Sequence, residues 1–206
     1  MRAPCALHID LDGGHFERRA LPVNAMRQFI GGRGINMRHL HRVLRADVPA
    51  LDPRTPLLFA AGPLVGTSFP GGARFNVSGR SPQTGILGDS NAGGFFGPEL
   101  RFAGVDQLVL TGRAKRPSIL WIDDEKTQLI DAGDVWGLDT VEATAAVHAL
   151  LGDAQIQVAV IGPAAEHGVA FAGVFANLVR AAARTGMGTL MASKNLKAIA
   201  VRGTMG

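Results

Sequence analysis

The chain has 206 residues, of which 47% are hydrophobic and 18% are charged. This length suits a single domain over residues 1–206, and the low charge excludes disorder caused by an excess of like charges. The formal net charge is +4, but the basic residues are scattered and form no run of five or six. That pattern argues against nucleic acid as a partner, and a few placed arginines suit phosphate on a small ligand equally well.

Cys5 is the only cysteine, so no intrachain disulfide and no cysteine cluster for zinc or iron–sulfur is expected. A four-iron cluster needs four thiolates, and we therefore expect that this chain does not carry one. The N-terminus reaches charge before an apolar segment develops, and no apolar run approaches the roughly 20 residues that cross a bilayer. We expect a cytoplasmic protein that is not bound to a membrane.

The N-terminal third is predicted to begin with a hairpin of strands at residues 7–11 and 15–21. A short helix at 22–30 is stopped by two glycines, and a second helix follows at 34–45. A short apolar run at 57–61 indicates a buried strand.

Residues 62–97 are dense in Gly, Ser, Thr, Asn and Pro. Apolar pieces interrupt this stretch, which favours short strands joined by tight turns over a flexible linker. Three further strands are predicted at 107–111, 118–123 and 127–131. A helix at 140–151 has Asp139 as its cap and Gly152 after its end.

The last third is predicted to contain strands at 156–161, 169–175 and 196–201. Residues 179–183 and 189–192 are predicted to form helical turns around a glycine-rich bend. Strands in meander-like groups with few helices between them indicate an α+β fold with mostly antiparallel sheet. No sequence repeat of fixed period is visible.

Four elements combine glycine with arginine or asparagine, and the first two each allow two interpretations. Gly31-Gly32-Arg33-Gly34 suits a phosphate at a helix N-terminus or a tight corner between two helices. Residues 69–77, with Arg74 and Asn76, suit a planar polar ligand lying against bare backbone or a hairpin with an exposed arginine.

The third element, residues 89–97, leaves backbone N–H groups exposed at Gly93 and tolerates left-handed backbone at Asn91. It precedes a predicted helix at 95–102, and capping of that helix is compatible with ligand binding.

The fourth element, residues 180–188, places Arg180 and Arg184 on one predicted helical face. The run Ser193-Lys194-Asn195-Leu196-Lys197 that follows is typical of a solvated surface. Four such elements in one chain favour a common role in ligand binding.

Common catalytic patterns are absent from the sequence. The six histidines show no H-E-x-x-H spacing, no G-x-S-x-G elbow occurs, and Cys5 is not a convincing nucleophile. Glu166-His167 suits either an acid–base pair or a loop before a strand, and we favour the loop.

In this order, the four elements resemble the N-terminal domain of the tungsten-containing aldehyde ferredoxin oxidoreductases. The resemblance runs along nearly the whole chain, and its combination of motifs is highly specific. Further stretches that carry it are 59–68, 81–85, 98–100, 102–104, 161–164 and 191–199.

The resemblance implies an α+β fold of two mostly antiparallel sheets related by an approximate two-fold axis, with a few flanking helices. In such enzymes this domain lies against a tungsten ion that two pterin dithiolenes bind, and magnesium bridges the two pterin phosphates. Molybdenum is the alternative metal. The complete enzymes oxidise aldehydes to carboxylic acids and pass electrons to ferredoxin through a four-iron cluster.

The resemblance also implies roles for individual residues. Arg74 corresponds to the arginine that links pterin and cluster. Asn91 and Ala181 correspond to the residues whose backbone carbonyls bind magnesium, and Gly93 and Arg180 to contacts with pterin phosphate. A guanidinium and bare amides suit phosphate, and magnesium prefers oxygen ligands.

The sequence departs from the family pattern at Thr185 and Ala192, which replace glycines, and at residues 166–168. The cluster cysteines and substrate residues belong to domains that follow this one in the family, so we expect them on a separate partner chain, with ferredoxin reached indirectly. A non-catalytic cofactor carrier or a homo-oligomeric scaffold is the alternative, as is a paralogue that binds nothing. Convergence of Arg74, Asn91 and Arg180 in the folded chain is the first requirement for either cofactor hypothesis.

Overall fold

The computed structural model describes residues 3–205, and its first half forms one six-stranded sheet, sheet 1. The strand order is β2-β1-β6-β3-β4-β5, in which β1 and β6 are parallel and every other neighbouring pair is antiparallel. The strands are β1 (Cys5–Asp10), β2 (His15–Ala20), β3 (Leu57–Ala61), β4 (Phe75–Arg80), β5 (Leu87–Ala92) and β6 (Gln107–Thr111).

The second half forms sheet 2, with the order β11-β10-β9-β12-β7-β8. Its one parallel pair is β7 with β12. The strands are β7 (Ser118–Asp123), β8 (Lys126–Asp131), β9 (Gln157–Val160), β10 (Val174–Ala176), β11 (Arg180–Ala182) and β12 (Leu196–Arg202). Each half therefore has the same topology: a hairpin at one edge, a parallel pair beside it, and three antiparallel strands beyond. This repeat confirms the α+β fold of two mostly antiparallel sheets, although the sequence shows no repeat of fixed period.

Six helices lie between or against the strands of the described chain. They are α1 (Val23–Phe29), α2 (Arg33–Val43), α3 (Phe96–Phe102), α4 (Thr140–Leu151), α5 (Pro163–Glu166) and α6 (Met187–Ser193). In residues 3–205 none of them has the length and apolar character needed to cross a membrane.

The main hydrophobic core joins the two sheets with α3 and α6 and includes Phe59, Phe75 and Phe96. Phe75 and Phe96 have ring centroids 4.9 Å apart. The other face of each sheet is covered by one helix: α2 packs Leu40 on sheet 1, and α4 packs Val147 on sheet 2. Aromatic and aliphatic burial on both faces accounts for the uninterrupted apolar run of β3.

The bounds of helix α4 could be predicted from the sequence because capping residues stand at both of its ends. Asp139 accepts hydrogen bonds from the backbone N–H groups of Val141 and Glu142, both at 2.8 Å, and Glu142 completes the capping box. Gly152 ends the helix with φ of 70°, a left-handed conformation that favours glycine.

Two predicted elements near the C-terminus are wrong. The strand expected at 169–175 begins only at Val174, after the turn of α5 and a loop. The helical turns expected at 179–183 are instead strand β11, which pairs with β10. Arg180 and Arg184 therefore share no helical face. Pairing with a strand outside the segment overrides the helix propensity of an alanine-rich run.

The lysines of the predicted solvated run are also wrongly placed by sequence reasoning, because Lys194 and Lys197 are both 0% exposed. Lys194 donates to the carbonyl oxygens of Pro53 at 3.1 Å and Gly112 at 3.2 Å. Burial lowers the pKa of Lys194 to about 8. The two lysines are interior residues with specific partners.

Candidate functional site

The edge strands of the two sheets, β5 and β11, lie against each other. The segment after β11 is joined to β5 by two hydrogen bonds. The backbone N–H of Arg184 donates to Ser90 Oγ at 3.1 Å, and Thr185 Oγ1 donates to the Asp89 carbonyl at 3.4 Å. The repeated topology thus brings the third and fourth glycine-rich elements together.

Arg74, Gly93 and Arg180 meet at one end of this junction. Arg74 directly precedes Phe75, whose register partner is Ala92, so Arg74 and Gly93 flank the last pair of the β4–β5 ladder. A Cβ atom added to Gly94 would lie 3.2 Å from Arg180 Cγ. Residues separated by more than 100 positions in the sequence therefore converge, as the cofactor hypotheses require.

The direction of the Asn91 carbonyl follows from the ladder. At the turn end of the β4–β5 hairpin, Ser81 N donates to Ile86 O at 2.8 Å, which makes this a hydrogen-bonded pair. Bonded and non-bonded pairs alternate in an antiparallel ladder. The pair Asn76–Asn91 is five register steps further on and is non-bonded. The Asn91 carbonyl therefore points away from β4 and out of the sheet edge.

The same alternation fixes the side to which this carbonyl points. Asp89 lies two residues before Asn91, and its carbonyl accepts the hydroxyl of Thr185, which lies beyond β11. Carbonyls two residues apart in a strand point the same way. The Asn91 carbonyl is therefore directed toward the segment that contains β11.

Asn91 and Ala181 occupy equivalent positions in the two halves. In β5, Asn91 pairs with Asn76 beside the buried pair Phe75–Ala92. In β11, Ala181 pairs with Phe175 beside the buried pair Val174–Ala182. The internal symmetry thus places these two residues on facing sheet edges.

The backbone and the charges at this end are open to a ligand. A Cβ atom added to Gly93 would meet nothing within 4 Å. Arg74 and Arg180 are exposed, and among residues 3–205 neither guanidinium has a hydrogen-bond or ion-pair partner. Two unneutralised guanidinium groups beside bare backbone suit a phosphate ester.

No group of three or more His, Cys, Asp or Glu side chains in the described range 3–205 is arranged to bind a metal ion. A hard cation at this junction would therefore take backbone carbonyl oxygens, which are ligands that magnesium accepts. The residues present fit a phosphate-bearing, magnesium-bridged group, and they do not form a metal site of carboxylates or thiolates.

Asn177 is a residue of the site that sequence reasoning missed. Its Oδ1 accepts hydrogen bonds from the backbone N–H groups of Phe95 at 2.7 Å and Phe96 at 3.4 Å. The start of α3 is therefore capped by the opposite sheet and not by the preceding Asp89–Asn91 segment. Asn177 has φ of 48°, and asparagine after a short strand is the signal that could have indicated a special turn.

The first glycine-rich element is a tight corner between α1 and α2. A Cβ atom added to Gly34 would lie 2.1 Å from the Phe29 carbonyl oxygen, so only glycine fits there. Gly32 N donates to the Ala61 carbonyl at 3.2 Å, which anchors the corner to β3. The geometry favours the structural interpretation of the glycines, while Arg33 reaches Asp89 on β5 at 2.7 Å.

A buried chain of amide side chains also escaped sequence reasoning. Gln107 Nε2 donates to Asn36 Oδ1 at 2.8 Å, and Asn36 Nδ2 donates to Asn76 Oδ1 at 2.8 Å. Asn76 Nδ2 in turn donates to the Asp89 carboxylate and to Asn91 Oδ1, the latter at 3.2 Å. This polar chain links β6, α2, β4 and β5, and its members are separated too far in sequence for spacing to reveal it.

Sequence similarity to known proteins extends along almost the whole chain. Residues 6–203 match the family described as aldehyde ferredoxin oxidoreductase, N-terminal domain. Tungsten-containing aldehyde ferredoxin oxidoreductase from Pyrococcus abyssi is 42% identical over 197 residues, which are 96% of this chain and 32% of that protein. The aliphatic sulfonate oxidoreductase, WOR-like subunit, from Pyrococcus furiosus is 30% identical over an aligned length of 213 positions, gaps included, which covers 96% of this chain and 34% of that protein.

A solved structure, the active site complex BamBC of benzoyl coenzyme A reductase with 1,5-dienoyl-CoA, superposes with a TM-score of 0.96. The sequences are 35% identical, and the match covers 99% of this chain and 32% of the other. The chain thus spans about a third of the length of the proteins it matches. The match over almost all of its residues shows that the chain belongs to the aldehyde ferredoxin oxidoreductase family.

Proposed function

We propose that this chain binds a tungsten or molybdenum bis-pterin cofactor as part of an aldehyde:ferredoxin oxidoreductase-like enzyme. The observation that carries the proposal is the convergence of Arg74, Asn91, Gly93, Arg180 and Ala181 where β5 meets β11. A ligand with two similar halves and two phosphates suits a site built from two topologically equivalent halves. When bound, this cofactor supplies the two-electron redox chemistry of the family.

Each residue has a role that its geometry supports. The outward carbonyls of Asn91 and, by symmetry, Ala181 would bind a magnesium ion that neutralises phosphate charge. The open backbone of Gly93 and the guanidinium of Arg180 would hold a phosphate. Arg74, exposed and unneutralised, would lie between the pterin and an electron acceptor on another part of the enzyme.

The complete activity would need further polypeptide. We place the four-iron cluster and the substrate-binding residues there, on a separate chain or on further domains, with ferredoxin as the final electron acceptor. Two large apolar side chains form an exposed rim next to the site, Phe95 at 69% and Val179 at 81%. Such a rim beside arginines suits a protein surface that closes over a bound cofactor.

Relatives act on different substrates by their names, namely aldehydes, an aliphatic sulfonate and a coenzyme A thioester. The domain common to them is therefore compatible with more than one class of substrate. We propose aldehyde oxidation to a carboxylic acid for this chain because its more similar curated relatives carry that name.

The test is purification from the native host with any bound chains, followed by measurement of tungsten, molybdenum, magnesium and phosphate per chain. We expect metal and pterin in the wild type and a large loss in Arg74→Ala and Arg180→Ala. Arg54→Ala is the matched control, because Arg54 is also exposed but is paired with Asp52 elsewhere in the fold. Equal cofactor content in all four proteins, or none in any, would contradict the proposal. Bound cofactor without aldehyde oxidation in the complete assembly would identify a carrier instead.

A further inference from the structure

We infer that Arg33 is an additional phosphate-binding residue of the candidate site. We also infer that the buried amide chain of Gln107, Asn36 and Asn76 positions Arg33 there through Asp89. The inference rests on the proposed function, because it adds a residue to the same anion site. Neither the family resemblance nor the convergence described above assigns a ligand contact to Arg33.

Arg33 lies next to the site through a short series of contacts. Its Nη2 is 2.7 Å from Asp89 Oδ2. The other carboxylate oxygen of Asp89 and the side-chain oxygen of Asn91 both accept from a single atom, Asn76 Nδ2. The Arg33 guanidinium is therefore one carboxylate and one amide away from Asn91, whose carbonyl points into the junction.

The amide side chains that connect to Asp89 are buried, although the Arg33–Asp89 ion pair itself lies at the surface. Gln107, Asn36 and Asn76 are 1%, 0% and 2% exposed. Each makes hydrogen bonds to the next, so the chain is internally satisfied. Buried amides fix one geometry but contribute little net stability compared with apolar side chains of similar size. The role of these buried amides is therefore to fix the position of the groups they contact, and not to add net stability.

The second half of the molecule shows that the fold itself does not require the chain. The rung equivalent to Asn76–Asn91 is Phe175–Ala181, which is apolar. Phe175 packs against the hydrophobic cluster beneath α4. At the equivalent position of the first half, Asn76 instead forms a hydrogen bond with Asn36 of α2. The same strand topology is thus built once with apolar and once with polar side chains. What the first half has in addition is Arg33, held at the end of the chain.

The guanidinium retains donors for a ligand. Arg33 carries five N–H donors, and its side chain is 60% exposed while it contacts Asp89. An exposed ion pair alone contributes little. A guanidinium that Asp89 holds in one orientation is, in contrast, a ready phosphate contact, because its orientation is set before the ligand arrives.

Titration of the full chain with magnesium pyrophosphate tests the inference, with affinity measured by calorimetry and folding by circular dichroism. We expect Arg33→Ala to weaken binding by about 10-fold or more, as for loss of one charged hydrogen bond, and Arg33→Lys to weaken it less. Arg116→Ala is the matched control, since Arg116 also pairs with an aspartate at 2.7 Å and is 72% exposed.

The outcomes separate the inference from the proposed function. Weaker binding in Arg74→Ala and Arg180→Ala with unchanged binding in Arg33→Ala would overturn the role of Arg33 and leave the site intact. Unchanged binding in all three would overturn both. Equal weakening in Arg33→Ala and Arg116→Ala would show only a general effect of net charge and would also overturn the inference.

Discussion

Glu166 and Lys197 form an ion pair inside the protein, with side chains 3% and 0% exposed. Lys197 also donates to the Leu138 carbonyl at 2.8 Å, and the second oxygen of Glu166 accepts the Gly137 backbone N–H at 2.9 Å. The pair therefore ties α5 and β12 to the loop before α4. Glu166 is a structural residue, and an acid–base role with His167 does not fit this arrangement.

Glu166→Gln should lower the free energy of unfolding by about 3–5 kcal/mol, because it leaves the Lys197 charge buried without a counter-ion. Urea denaturation at neutral pH measures the change. Arg116→Gln, in the exposed pair with Asp131, is the control and should change stability by less than about 1 kcal/mol. The double substitution Glu166→Leu with Lys197→Met should recover much of the loss. Similar small effects in both pairs would show that the Glu166–Lys197 pair is solvated.

Asn76→Leu should lower the free energy of unfolding by about 2–4 kcal/mol, since it leaves buried polar groups of Asn36 and Ser78 without their partner. Thermal and urea unfolding give the value. Asn24→Leu is the control, because Asn24 is exposed on α1, and it should stay within about 0.5 kcal/mol of the wild type. Replacing Asn36 and Asn76 by leucine together should be less harmful than the sum of the single changes. Strict additivity would argue against a connected chain.

The sequence predicts elements well where their signals are local. The first hairpin, the helix with Asp139 as its cap, and strands β3, β6 and β7 all follow from periodicity, caps and turns within a few residues. The convergence of Arg74, Asn91 and Arg180 was expected from resemblance only, because no spacing rule connects positions so far apart.

Elements that depend on distant partners were missed or wrong. Strand β11 has an alanine-rich, helix-favouring sequence and is a strand because β10 pairs with it. The sequence predicts Lys194 as a surface residue, but it is buried because the carbonyl oxygens of Pro53 and Gly112 accept hydrogen bonds from its ammonium group. Burial and hydrogen bonding between segments decide such cases, and neither is encoded in local composition.

Stability should fall as pH drops below neutrality because of His39 on α2. Burial, together with the nearby charges of His8 and Arg38, lowers the pKa of His39 to about 4. The ring lies 6.0 Å from that of His8, whose pKa is also lowered by burial and by Arg19, against the opposing effect of Glu17. The folded state therefore takes up the proton less readily than the unfolded chain, whose histidines titrate near 6.5.

Between pH 6.5 and 4 the unfolded state binds more protons than the folded state, so the free energy of unfolding decreases as pH falls through this window. Since the ring is only half-buried, we expect a loss on the order of 1 kcal/mol. His39→Gln should flatten the profile of urea midpoints between pH 7.5 and 4.5, whereas His41→Gln, at an exposed position of the same helix, should not. An identical pH profile in His39→Gln would show that other groups control acid unfolding.

Thr185 places a β-branched residue in the left-handed region beside the candidate site, with φ of 63°. That conformation costs a non-glycine residue roughly 1–2 kcal/mol. Replacing Thr185 by glycine removes this cost, but the larger conformational entropy that glycine loses on folding offsets about half of the gain. The Thr185 hydroxyl also donates to the carbonyls of Arg184 and Asp89 at 2.7 and 3.4 Å. We therefore expect Thr185→Gly to raise the free energy of unfolding by about 0.5 kcal/mol.

The matched control is Thr84→Gly, at an exposed turn position outside the left-handed region, which should lower stability because only the entropic cost of glycine remains. Opposite signs in the two variants, measured as shifts of the thermal midpoint, are the expected result. Destabilisation in both would mean that the hydrogen bonds of the Thr185 hydroxyl to the carbonyls of Arg184 and Asp89 outweigh the backbone strain. Thr185 would then stabilise the contact between the two sheet edges at the junction that the cofactor is proposed to occupy.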